Sequence, residues 1–162
     1  MHRSLPIYST PRVAHARAVA SVPTPEWSGP KTVRISLTDR CDLACVYCRP
    51  DRNDGYLAQE ERLDVEGWRV MLQALVDAGV RRIRLTGGEP LLHPHVVEIT
   101  RLAASLPITD LALTTNATQL SKLAVPLRDA GLHRVTVSLD TLDPRKFDAI
   151  TRGGSLLRFS QA

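Results

Sequence analysis

Three cysteines fall within eight residues, as Cys41-x3-Cys45-x2-Cys48, and the rest of the chain has none. An odd number of thiols packed this tightly cannot form a distributed disulfide framework. Metal chemistry is the natural use of so many soft ligands on one short segment. Structural zinc takes four Cys or His ligands, yet the next histidine along the chain is His93, far beyond the cluster. Iron–sulfur clusters also normally take four thiolates. With three, a four-iron cluster keeps one iron open to a non-protein ligand, which makes it a reactive centre. The spacing favours that catalytic cluster and leaves structural zinc and unrelated thiols as alternatives.

Other residues with chemical capacity lie further along. Gly87-Gly88 follows an apolar run, where missing side chains let backbone groups approach a ligand closely. Arg84 sits two residues after Arg82, so strand alternation sends both to one face. A guanidinium on a buried strand is costly unless paired, and it grips phosphate oxygens through paired, charge-assisted hydrogen bonds. Arg81 and Arg82 read as solvated linker charges, Glu89 and Pro90 as shapers of a turn, and Asp140 as a helix cap. His93-Pro94-His95 reads as a turn rather than a metal site.

These residues need a scaffold, and the hydrophobic pattern supplies one. Thr32–Leu37, Arg82–Thr86, Asp110–Thr114 and Arg134–Leu139 read as strands. Asp64 caps a helix whose apolar face is Trp68, Met71, Leu72, Leu75 and Val76, stopped by Gly79. Pro94 to Ser105 reads as a second helix facing inward through Val97, Leu102 and Leu106, and Leu120 to Ala130 as a third. Pro144 suits the first turn of a fourth. Strand and helix alternate four times, which implies an α/β fold with right-handed crossovers and a parallel sheet. The motifs fall at carboxyl ends of strands, after Leu37, after Thr86, at Thr114 and at Ser138–Asp140, where such folds place their sites.

Composition sets the outer bounds. Of the 162 residues, 43% are hydrophobic and 23% charged, the balance of a globular chain rather than a disordered or coiled-coil one. No run of about 18 apolar residues predicts a membrane span. The net charge of +4 rests on eighteen Arg against three Lys. With 4% aromatic residues there is no stacking platform for single-stranded nucleic acid, so no nucleic-acid partner is expected. Residues 1–30 carry five of the eleven prolines and no acidic residue before Glu26, and read as a disordered Pro/Ala-rich leader.

The segment from Arg34 to Pro50, with its Thr38-Asp39-Arg40-Cys41 and Tyr47-Cys48, resembles the cluster loop of the radical S-adenosylmethionine enzymes. The resemblance continues through Arg84-Leu-Thr-Gly87-Gly88-Glu89-Pro90, Thr114-Thr115-Asn116 and Val137-Ser138-Leu139-Asp140. Its nearest branch is that of the GTP 3′,8-cyclases of molybdenum cofactor biosynthesis, and it covers about Thr32 to Ile150. It implies a partial (β/α) TIM-like barrel of about four of the six strand–helix units that the family uses, with 31–162 as the N-terminal part of the core domain. It implies that Cys41, Cys45 and Cys48 hold a [4Fe–4S] cluster and that Tyr47, Gly88 and Ser138 contact S-adenosylmethionine. Arg34, Arg84 and Thr114 match positions that contact GTP.

The implied reaction converts GTP to its 3′,8-cyclo-7,8-dihydro derivative through a 5′-deoxyadenosyl radical. Flavodoxin or ferredoxin would act as electron donor, and the cytoplasm is the expected compartment. Two departures stand out: Ala117 where the family usually has Gly, and histidines at 93 and 95. The family's carboxyl-terminal region carries a second Cys-ligated cluster, whereas no cysteine follows Cys48. The expectation is therefore a chain that carries the cofactor-cleaving half, with an exposed sheet edge completed by a missing C-terminal half or a homodimer. A peptide-modifying radical enzyme and a non-catalytic metal-binding fragment are the alternatives.

Overall fold

Four short β-branched or apolar runs form one parallel sheet in the computed structural model, which describes residues 32–48, 55–58 and 62–156. The expected leader, residues 1–30, lies outside the described residues. The strands are β1 (Thr32–Ser36), β2 (Arg82–Thr86), β3 (Asp110–Thr115) and β4 (Arg134–Val137), hydrogen-bonded in the order β1-β2-β3-β4. Between them run helices α1 (Val65–Asp77), α2 (Val96–Ala104) and α3 (Leu120–Asp129), and α4 (Pro144–Thr151) follows β4. The strand order never reverses, so the sheet lacks the switch point of a doubly wound fold. Sequential order is the arrangement of a β/α barrel wall.

The first three helices cover one face of that wall. Ile35, Leu37, Ile83, Leu85, Leu111 and Leu113 point toward them and pack with Trp68, Leu72, Ile99, Ala103 and Leu127 in a single core cluster. Each fully buried Leu or Ile contributes roughly 1.5–3 kcal/mol relative to exposure. Local signals agree with the helix ends. The Asp64 carboxylate accepts from Gly67 N at 2.7 Å at the start of α1, and Gly79 with φ of 90° ends it. Asp143, not Asp140, caps α4 by accepting from the backbone N–H groups of Arg145 and Lys146, with Pro144 at the first turn.

Two expectations needed correction. Helix α2 starts at Val96 rather than Pro94 because Pro94 and His95 form a turn, behind a short 3₁₀ segment at Pro90–Leu92. Its buried face is Val96, Ile99, Thr100 and Ala103, while Val97, Leu102 and Leu106 pack only partly against the core. The reason is mixed burial: Thr100 enters the core by donating its hydroxyl to Val96 O at 2.7 Å, which a hydrophobic count does not register. Strand β4, in turn, is exposed along its whole length and ends at Val137, short of the predicted Leu139.

The opposite face of the sheet is polar. Register sets Arg34 beside Arg84, Arg84 beside Ala112, Ala112 beside Arg134, and Thr114 beside Thr136. In a closed barrel this is the interior face.

Candidate functional site

The cysteine loop leaves the end of β1 and is laid directly along the end of β2. Leu37 N donates to Thr86 O at 2.9 Å, Gly88 N to Thr38 O at 2.7 Å, and Glu89 N to Arg40 O at 2.7 Å. Parallel pairing thus continues past the strands and carries the chain up to Cys41. The glycine pair is what permits this approach. A Cβ on Gly88 would come 2.3 Å from Arg40 O, and one on Gly87, whose φ is 148°, 2.4 Å from Thr38 O. No neighbouring side chain can move aside to relieve either contact, because both obstacles are backbone. Further along, the loop is pinned to the far end of α4, where Ala44 N donates to Thr151 O and Val46 N to Ile150 O.

Within the loop, Cys41 and Cys45 are partly buried, Cys48 is exposed, and all three thiols are free. Leu43 N donates to Cys41 Sγ at 3.4 Å. Burial pushes the Cys41 thiol up; the Leu43 N–H opposes this, and the charges of Asp42 and Glu89 add to it. Burial likewise raises Cys45, against a hydrogen bond from Tyr47 and with the charge of Asp140. Both thiols are therefore protonated at neutral pH, and metal binding must displace those protons.

Glu89 has a larger part than shaping a turn. It is 1% exposed, and its carboxylate accepts three hydrogen bonds: from Leu91 N at 3.0 Å, Thr115 Oγ1 at 2.7 Å and Asn116 N at 2.7 Å. Burial raises its pKa against the pull of those donors. It therefore ties the end of β2 to the end of β3. Asn116 extends the tie to the loop: its Nδ2 donates to Asp42 Oδ1 at 2.8 Å and lies 3.8 Å from Cys41 Sγ. Thr118 Oγ1 also donates to Asp42, at 2.6 Å. Sequence reading missed the set Glu89, Thr115, Asn116, Asp42 and Thr118. The available signal was that the Gly-Gly-Glu and Thr-Thr-Asn segments end neighbouring strands.

Tyr47 is 65% exposed, and its hydroxyl donates to Asp140 Oδ2 at 2.8 Å, linking the loop to the segment beyond β4. That hydrogen bond to a carboxylate holds the phenol well above its ordinary range. Ser138 is exposed just past β4, and its N–H donates to Thr115 O at 2.8 Å. Arg34, Arg84 and Thr114 share the polar face of the sheet; Arg34 is exposed, and Arg84 and Thr114 are half-buried. Neither arginine has an acidic partner among the described residues. Arg134 does: it forms a two-point contact with Asp110, and the guanidinium holds that carboxyl below its usual range. His93 is buried, with its ring edge-on to Trp68 at 6.0 Å, which accounts for it as packing.

The donor set fits an iron–sulfur cluster in kind. Three soft thiols, unlinked to one another, sit on a loop fixed at both ends by backbone hydrogen bonds. Among the described residues no group of three His, Cys, Asp or Glu already meets at metal-binding geometry.

A parallel β/α wall with a three-cysteine loop on its first strand defines the class, and comparison with known proteins agrees. Residues 35–160 match the model of the radical SAM superfamily, and the chain belongs to that superfamily, whose cofactors are a [4Fe–4S] cluster and S-adenosylmethionine. Among curated proteins it is 47% identical over 125 residues to the GTP 3′,8-cyclase of Listeria monocytogenes, covering 76% of this chain and 38% of that one. It is 46% identical to GTP 3′,8-cyclase 1 of Pseudomonas aeruginosa over the same shares of the two chains. It is 45% identical to the probable GTP 3′,8-cyclase of Methanothermobacter marburgensis, over 78% of this chain and 41% of that one.

The chain thus spans about two fifths of the length of these relatives. Among solved structures, Streptococcus suis SuiB bound to S-adenosylmethionine superposes with a TM-score of 0.60 at 26% identity. That match covers 75% of this chain and 28% of SuiB. BtrN, in complex with AdoMet and 2-DOIA, superposes with a TM-score of 0.58 at 18% identity, over 81% of this chain and 54% of BtrN, and shows the fold alone.

Proposed function

We propose that this chain carries the cofactor-cleaving part of a GTP 3′,8-cyclase, acting in the first step of molybdenum cofactor biosynthesis. The observation that carries the reading is the register that sets Arg34 beside Arg84, with Thr114 on the same polar face, in a chain 45–47% identical to such cyclases. Two guanidiniums side by side, with no acidic partner among the described residues, suit a triphosphate, and Thr114 adds a hydroxyl at the mouth. On the other side of the site, Cys41, Cys45 and Cys48 hold the cluster, while Tyr47, Gly88 and Ser138 line the place of S-adenosylmethionine. When bound, a cluster held by these three thiols would supply the electron for reductive cleavage of the sulfonium cofactor.

The residues of the chain bind and orient. Glu89 and the glycine pair fix the loop, and the arginines fix the substrate's charge. A small iron–sulfur or flavin protein such as ferredoxin or flavodoxin is the proposed electron donor, and the cytoplasm the proposed compartment. Completion of the GTP pocket falls to a C-terminal half or a second copy. A peptide-modifying role is not favoured, because the likeness to SuiB is 26% in sequence against 47% for the cyclases.

The test is anaerobic reconstitution of the chain with iron and sulfide, followed by separate assays of 5′-deoxyadenosine release and GTP cyclisation. Release without cyclisation is expected. Robust cyclisation by this chain alone overturns the division of labour, and absence of both overturns the assignment. The variant Arg84→Ala is expected to weaken GTP binding about tenfold or more, the worth of a charge-assisted hydrogen bond.

A further inference from the structure

We propose that Asn116 is a positioning residue for the cysteine loop, holding Cys41 in place through Asp42. The proposal rests on the reading of the loop as a cluster-holding one, and its first readout does not depend on that reading. Both ends of the Asn116 carboxamide are committed. Its Nδ2 donates to Asp42 Oδ1 at 2.8 Å and lies against Cys41 Sγ at 3.8 Å. Its Oδ1 accepts from Thr118 N at 3.0 Å, which fixes the orientation of the amide. Its backbone N–H is held by the buried Glu89 carboxylate at 2.7 Å.

The backbone carrying the amide is thus anchored in the core, and the amide reaches out to the first arm of the loop. The hydrogen bonds from the end of β2 stop at Arg40, and those from α4 begin at Ala44. Asn116, with Thr118 Oγ1 on the other oxygen of the same carboxylate, spans the interval between them, where the first cysteine lies. A charge-bearing bridge in that interval sets where Cys41 can present its sulfur, which neither clamp reaches.

The test uses the full chain. Asn116→Asp is nearly isosteric but loses both N–H donors and faces Asp42 with a second carboxylate. Asp42→Ala removes the loop's bonds to both Asn116 and Thr118 while leaving the Asn116–Glu89 contact intact, whereas Asn116→Asp keeps the Thr118 bond and so isolates the part of the amide; Asp42→Asn restores an acceptor. In the metal-free chain, amide hydrogen exchange over residues 41–48 should rise about fivefold or more in Asn116→Asp and Asp42→Ala. Exchange in β2 and β3 should stay at the parent rate, and Asp42→Asn should return the loop toward it. After reconstitution, iron affinity should fall about tenfold or more in the same two variants, the usual effect of losing a partner behind a ligand. The cluster's midpoint potential should move lower in Asn116→Asp.

If loop exchange and iron affinity match the parent in Asp42→Ala, the proposal is wrong. Equal loosening of the whole sheet would also overturn it, since Asn116 would then serve folding alone. Loosened loop exchange without any cluster formation in the parent chain would instead indict the cluster reading and leave the positioning role standing.

Discussion

Ala117 occupies a backbone conformation that alanine avoids: its φ is 64° at 1% exposure, directly after the Asn116 that reaches the loop. Left-handed backbone costs an L-residue about 1–2 kcal/mol, and glycine's extra unfolded entropy offsets part of that. Ala117→Gly should therefore stabilise the chain by about 0.5–1 kcal/mol in urea denaturation. Glu89 should behave oppositely. Glu89→Ala strands three buried or half-buried donors, and a loss of about 2 kcal/mol or more is expected in the same measurement.

His93 provides the pH handle, because burial, with help from His95 and Arg62, lowers its pKa from 6.5. The unfolded chain takes up that proton below 6.5 while the folded chain resists it. Its contribution is thus intact above 6.5 and is lost as the pH falls toward the lowered value. Thermal melts between pH 7.5 and 5.5 should be flatter for His93→Asn than for the parent. At this scale the sequence was partly legible. Cysteine spacing is local and read directly, whereas two of the three partners of Glu89 lie 26 and 27 residues away and depend on which strands are neighbours.

Helices and strands bring those distant residues together. The glycine pair shows how narrow the tolerance is, since Gly88→Ala drives a methyl group into the backbone of Arg40. The expected outcome is a chain that still folds by circular dichroism but binds iron at least about tenfold more weakly than the parent, because the loop must lift off β2. Element order and strand positions were legible because apolar runs of five or six residues alternated with helical periodicity. The α2 face was not, because a threonine entered the core and a turn at Pro94-His95 took the residues expected at its start. Strand alternation also foretold the shared face of Arg82 and Arg84. That Arg34 stands beside Arg84 needed the observed pairing register.

Among the described residues, one face of the sheet is covered, and the edge strands β1 and β4 each pair on one side only. Val135 and Val137, each 38% exposed, belong to β4, a strand with no neighbour beyond it among the described residues. Open edges of this kind pair with other chains. Sedimentation at rising concentration should show self-association of this chain, reduced by Val135→Lys. The loop that carries the cysteines is joined by backbone hydrogen bonds to Ile150 and Thr151, about a hundred positions later. Ligand binding to a native state stabilises whatever is coupled to it. Iron supply would therefore be felt at the far end of α4 before it is felt in the core. An iron-starved chain should be cut first beside Arg152, so a trypsin ladder would double as a gauge of metallation.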